Sequence, residues 1–149
     1  MTTTTGDKVE LEVRVAATPA TVFSFLNDAA RMARWIGDTV ELDARPGGAM
    51  RIDMNGRDIA RGEVVAIEPD TRLVLSWGWE GEGHPVPPGS SRVEISLSAD
   101  GDGTLVRLVH TGLPADTVKD HRGGWELFMP RLAAVAEGRD AGANPVAGR

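Results

Sequence analysis

Gly123-Gly-Trp-Glu-Leu-Phe-Met-Pro-Arg-Leu-Ala-Ala-Val-Ala136 is the stretch on which the fold turns. Trp125, Phe128, Met129, Leu132 and Ala136 follow the i, i+3, i+4, i+7, i+11 spacing of one helix face, which predicts a long amphipathic helix after Pro114. Two features oppose it: Gly123-Gly124 weakens the helix just before Trp125, and Pro130 removes a backbone donor and predicts a kink. Upstream of this helix, back to Val40, the period is two instead.

Val40 and Leu42 alternate with Glu41 and Asp43, and Met50, Ile52 and Met54 alternate with Arg51, Asp53 and Asn55. Leu73, Leu75, Trp77 and Trp79 share one parity, as do Val93, Ile95 and Leu97, and then Val106, Leu108 and His110. Pro46-Gly-Gly48, Asn55-Gly56, Pro69-Asp70 and Asp100-Gly-Asp-Gly103 are turn signals between these runs, so consecutive antiparallel hairpins are expected. The inward face of residues 57–68 stays open, because Gly62 could host a bulge. Glu80 to Ser91 has turn-forming composition throughout and reads as a long, weakly constrained loop. At the other end, Val9, Leu11, Val13 and Val15 alternate with charged residues as a first strand. Thr18-Pro19 then supplies an N-cap and a first-turn proline for a short helix, and Ala29–Ile36 reads as a second one ending before Gly37.

The 149 residues, 41% of them hydrophobic, suit one domain with a substantial core. Residues 8–137 are expected to form it, while residues 138–149, rich in Gly, Ala, Pro and Arg without apolar periodicity, read as a disordered tail. Without cysteine there is no disulfide, thiolate metal site or Cys nucleophile, and a reducing cytoplasm fits. No apolar run approaches membrane-spanning length, and Met1–Asp7 has no basic region leading into an apolar one. Sixteen basic residues against 22 acidic ones give −6, and the arginines are scattered, so nucleic acid is not an expected partner.

The order is a strand, two short helices, a run of antiparallel strands and one long C-terminal helix. With it come Thr18-Pro-Ala-Thr-Val-Phe23, Ala33-Arg-Trp-Ile36, Arg45-Pro-Gly-Gly48, Gly62-Glu-Val-Val-Ala-Ile-Glu-Pro69, Arg72-Leu-Val-Leu-Ser-Trp77, Gly103-Thr-Leu-Val-Arg-Leu-Val-His-Thr-Gly112 and His121-Arg-Gly-Gly-Trp125. On these stretches, from about Val9 to Glu137, the chain resembles the helix-grip superfamily of START and birch-pollen-allergen-like domains (SRPBCC). Within it, the chain looks like the branch related to the activator of heat-shock-protein ATPase. The resemblance implies an α+β helix-grip fold, a curved antiparallel sheet wrapped around the C-terminal helix with a cavity between them. It implies little about chemistry, because related folds carry lipids, cyclise polyketides or assist chaperones.

Trp35, Trp77, Trp79 and Trp125 are expected to face inward, with Met50, Ile52, Met54, Leu75, Phe128 and Met129. Taken singly each fills a core; as a set, flat aromatics and flexible methionines suit an adaptable apolar pocket, with its mouth near the long loop and Trp35-Ile36. His110 is the sharpest polar signal, either a hydrogen-bonding or acid–base group at the cavity or, more ordinarily, a buried histidine satisfied by its neighbours. His121 is read as orienting the helix start, and His84 as solvated in the loop. The three histidines show no paired ligand spacing, so no metal is expected, and Pro46-Gly-Gly48 lacks the following helix and lysine of a phosphate cradle, so no cofactor is expected.

The expected function is therefore binding of a small, mainly apolar or aromatic molecule by a monomer or dimer. Two alternatives stand beside it. One is a cyclase or dehydratase using His110, which needs a second titratable group at the cavity, such as an inward Arg61 or Glu63. The other is a chaperone-associated interaction domain with a protein partner.

Overall fold

The structure is a computed structural model and describes residues 8–147. The readings of residues 1–7 and of the last two residues lie outside the described range. The alternating N-terminal segment is β1 (Val9–Val15). Thr18 caps α1 (Pro19–Phe23), its hydroxyl accepting the Thr21 N–H at 3.3 Å. Asp28 caps α2 (Ala29–Met32) through the Arg31 N–H at 3.1 Å, and the expected helix to Ile36 is shorter, its second half being turns. β2 (Thr39–Leu42), β3 (Ala49–Asp53), β4 (Ile59–Glu68), β5 (Arg72–Trp79), β6 (Ser91–Asp100) and β7 (Gly103–Thr111) follow, then a 3-10 turn at Ala115–Thr117 and α3 (Val118–Ala136).

The strands form one curved antiparallel sheet in the order β1-β7-β6-β5-β4-β3-β2. Six of the seven are sequence neighbours paired in turn, while α1 and α2 carry the chain from β1 at one edge to β2 at the other. α3 lies across the concave face and buries the predicted stripe of Trp125, Phe128, Met129, Leu132 and Ala136. The result is the α+β helix-grip arrangement. Its helix runs through Pro130 without interruption. Pro130 and Glu126 are both exposed, so the carbonyl left without its intrahelical donor faces water instead of the core.

The open question on β4 resolves into two features. Gly62 lies where an added Cβ would stand 1.9 Å from the Ser76 carbonyl oxygen, so the strands approach too closely for any side chain there. The bulge comes three residues later: Val64 pairs with Leu75 but Ala66 pairs with Val74, which leaves Val65 as the extra residue, 39% exposed. Ala60 and Val64 therefore face inward, and Arg61 and Glu63 are exposed. On the outer face, Glu10, Glu41 and Glu94 pair with Arg107, Arg51 and Arg72, ion pairs that at such exposure contribute little to stability.

Two segments differ from their composition. The loop after β5 folds back on the sheet: the Val86 carbonyl accepts the Trp79 N–H at 2.8 Å, and Val86 is fully buried. Its His84, expected in solvent, is half-buried and stacked on Trp79 at 6.2 Å, with Nδ1 accepting the Val86 N–H at 3.0 Å. The tail, expected to be disordered, is hydrogen-bonded over residues 138–147. Arg131 donates to the carbonyls of Ala141, Gly142 and Ala143 at 2.8, 3.3 and 2.9 Å, and to that of Trp35 at 3.1 Å. Asn144 reaches the Met54 carbonyl and Asp38, each at 2.7 Å, and Asn55 donates to the Val146 carbonyl at 3.2 Å. The physical reason is that polar contacts, with Ala141 and Val146 packed singly against the core, hold this strap without a periodic apolar stripe that composition would reveal.

Candidate functional site

Residues of β5 and α3, with others from the connecting segments, line a cavity of ≈ 390 Å³. β5 sends Trp77 and Trp79 into it from one side. α3 contributes His121, Gly124, Trp125 and Phe128, the i, i+3, i+4, i+7 positions of its first half, with Thr117 a turn earlier. Gly124 matters by what it lacks: a Cβ built there meets nothing within 4 Å beyond its chain neighbours and its own helix backbone, so part of the cavity is the volume of a missing side chain. Ile36 and Met54 add apolar surface, and the loop's His84 and Pro85 and the strap's Val146 form the outer rim with Asn55, Asp58 and Asp120.

Behind the cavity a polar chain threads the apolar core. The Trp125 indole N–H donates to His110 Nδ1 at 3.1 Å, which fixes the proton on Nε2. Nε2–H then donates to Ser91 Oγ at 2.8 Å, and the Ser91 hydroxyl donates to the Trp77 carbonyl at 2.8 Å. His110 is fully buried, and desolvation, with the neighbouring His121 adding to it, pushes its pKa down to about 3. It is a neutral, fully satisfied connector between sheet and helix.

His121 is held the same way. Its Nδ1–H donates to the Thr117 carbonyl at 2.8 Å and its Nε2 accepts the Trp79 indole N–H at 2.9 Å, while desolvation lowers its pKa. It does anchor the first turn of the helix as expected, and it also lines the cavity.

Three of the four indole N–H groups are thus partnered, Trp35 through the Phe25 carbonyl at 2.9 Å. Trp77 Nε1 is the one buried side-chain nitrogen or oxygen among the described residues with no partner. Leaving such a donor unpaired costs about 1–3 kcal/mol. Its ring packs at 5.2 Å from Trp125 and edge-on at 5.8 Å from Trp79.

Of the residues expected at a ligand, the structure brings Met54, Trp77, Trp79, Trp125 and Phe128 to the cavity wall. Trp35, Met50, Ile52, Leu75, Met129 and His110 lie in the packed core off that wall. Parity is right for all of them, but strand position decides contact. Met50 and Ile52 precede Met54 on the same face, and Leu75 precedes Trp77; Met50, Ile52 and Leu75 are buried without lining the cavity. Not foreseen were Asn55, Asp58, Thr117, Asp120, Gly124 and Val146, along with the lining roles of His84 and His121. Stepping back from Trp125 by one helical turn would have reached His121. Among the described residues no three His, Asp or Glu side chains converge on a metal-sized site, and no Lys or Arg lines the cavity.

An antiparallel sheet, two short helices after its first strand and a long C-terminal helix define a helix-grip domain. The chain belongs to the activator of Hsp90 ATPase homolog 1-like family, whose model matches residues 16–137. An AHSA1-like protein from Rhizobium etli is 42% identical over 95% of this chain and 89% of its own, with a TM-score of 0.72. CalU16 from Micromonospora echinospora is 30% identical over 87% of this chain and 75% of its own, with a TM-score of 0.72. DynU16, from the dynemicin biosynthetic locus, is 27% identical with a TM-score of 0.78 over 93% of this chain, which spans 50% of the DynU16 chain. Comparison with curated protein sequences gives no match. The family supports a ligand-binding or cyclase-type domain, and among the described residues no helix is long and apolar enough to cross a membrane.

Proposed function

We propose that this protein binds a small, mainly apolar or aromatic molecule in the cavity between the sheet and α3. The cavity itself carries the reading: ≈ 390 Å³, open on one side, walled by three tryptophans, Phe128 and Met54. That volume lies in the range of small-molecule sites, and flat, rigid indoles contribute contact area at low entropic cost. DynU16 lies in the dynemicin biosynthetic locus, and a place in biosynthesis is in keeping with the binding role proposed here.

Catalytic use of His110 is less well supported. It lies off the cavity wall with both ring nitrogens engaged, His121 is engaged likewise, and Arg61 and Glu63 point away from the interior. A protein-docking role finds no apolar patch, Val65 being the exposed large hydrophobic among the described residues.

Titration with N-phenyl-1-naphthylamine, read by tryptophan emission, tests the proposal. Saturable quenching or a blue shift at one site per chain is expected, and native mass spectrometry of protein purified gently from its own host should show a small molecule retained. No response to the dye, with no retained mass, overturns it.

A further inference from the structure

We infer that the cavity takes a neutral, flat molecule whose buried end offers a hydrogen-bond acceptor, such as a ketone oxygen, to the Trp77 indole N–H. This rests on the binding role proposed above and specifies its ligand.

The inference begins from an asymmetry among four chemically identical groups. Trp35, Trp79 and Trp125 each donate their indole N–H to a named acceptor, two of these being histidine nitrogens whose tautomers are fixed to receive it. Trp77, buried to 2% exposure and part of the cavity wall, donates to nothing. A fold that satisfies every other buried side-chain donor and acceptor among its described residues leaves one donor unpaired, and the ring that carries it lines the cavity. Because the unpaired group is a donor and no buried side-chain acceptor is left over among the described residues, the complementary ligand atom is an acceptor without a proton of its own to place.

Neutrality follows from the lining. Among the described residues no Lys or Arg lines the cavity, Asp58 and Asp120 are part of its lining, and His121 has both ring nitrogens committed. A carboxylate entering here would lose its water, meet no cation and face two like charges. A ketone, lactone or quinone oxygen keeps the acceptor without that penalty.

The test uses three probes of one shape: 2-acetylnaphthalene, 2-ethylnaphthalene and 2-naphthoate. They are titrated into 15N-labelled protein, with the Trp77 indole resonance identified by its NOEs to the Trp79 and Trp125 rings. The ketone should move that resonance downfield, whereas the hydrocarbon should bind without doing so. In Trp77→Phe the preference for ketone over hydrocarbon should fall about fivefold. Should Trp77→Phe fail to fold, the wild-type spectra decide alone. If ketone and hydrocarbon both bind and the Trp77 indole responds to neither, its N–H is satisfied by a neighbouring ring face, and the acceptor assignment is overturned while the cavity reading stands. If 2-naphthoate binds as tightly as the ketone, neutrality is overturned. If none of the three binds, the cavity reading itself falls and takes this inference with it.

Discussion

The cavity has two walls built by different means. The inner wall, from β5 and α3, rests on periodic burial: Trp77 and Trp125 are placed by strand parity and helix spacing, then locked together through His110 and Ser91. The outer wall, from the loop carrying His84 and the strap carrying Val146, rests on individual hydrogen bonds and a few isolated apolar contacts, Val86, Ala141 and Val146, made by aperiodic segments. The inner wall is part of the folding unit, since removing it leaves no core. The outer wall is an addition that a few side chains hold in place. Its opening should therefore cost less free energy than global unfolding, and it is the expected route by which a ligand enters.

His110→Ala should break the inner wall and produce the largest effect. It leaves the Trp125 N–H without an acceptor, takes the donor from Ser91 Oγ and opens a void, so a loss of about 3–5 kcal/mol is expected. Urea denaturation followed by tryptophan emission measures it. A loss below 1 kcal/mol, on the scale of an ordinary surface change, would mean that the chain from Trp125 to Trp77 is not what joins helix to sheet.

Acid probes the same wall without mutation. His110 titrates near 3 when folded, against about 6.5 when unfolded. Between those values the unfolded chain binds a proton that the folded chain refuses, so stability is full above about pH 6.5 and falls as the pH drops toward 3. From pH 7 to pH 5 the loss from this residue is about 2 kcal/mol. The lowered pKa of His121 adds in the same direction. His110→Gln, which keeps one acceptor and one donor but cannot titrate, should flatten the slope between those two pH values. An unchanged slope would place the acid sensitivity elsewhere.

The outer wall should respond more weakly. Arg131→Ala removes the guanidinium that gathers the carbonyls of residues 141–143 and of Trp35, and partly exposed charge-assisted bonds of this kind suggest about 1–2 kcal/mol. Hydrogen exchange should show protection lost along 138–147 while the amides of β5 and α3 stay protected. Protection lost equally in both would mean that the two walls form one cooperative unit.

Legibility in the sequence divides along the same line. The strand parities, the Thr18 cap and the Trp125–Ala136 stripe all come from periodic burial or local capping, which leave a repeating mark on the residue order. The strap leaves none: Arg131, Asn144 and Asn55 are polar residues in polar surroundings, and only their three-dimensional meeting gives them partners. The candidate site is legible by face and not by depth. Alternation puts Met50, Ile52 and Met54 on one side, but only their tertiary surroundings make Met54 the one that lines the cavity. The bulge at Val65 was equally hidden, since Gly62 drew attention to the nearer irregularity while its actual role is the close approach of Ser76.

The smallest expected effect lies where the walls meet, at Gly123-Gly124 on α3. Each glycine costs the helix backbone entropy, and neither has a heavy atom within 4 Å of where a Cβ would be beyond its chain neighbours and its own helix backbone, so a side chain fits at both. They differ in what they face: Gly123 is exposed, whereas Gly124 lines the cavity. Gly123→Ala should stabilise by about 0.5–1 kcal/mol, a rise in Tm of about 1–4 °C, with probe binding unchanged. Gly124→Leu should gain helix propensity in the same way while its side chain fills the space beside Trp125 and Phe128, so probe affinity should drop about tenfold or more, ~1.4 kcal/mol. Stability rising in both while binding fails in one would identify Gly124 as a residue that keeps the cavity open at the helix's expense. If Gly124→Leu binds the dye as the wild type does, the dye is seated elsewhere, and the inner wall is core alone.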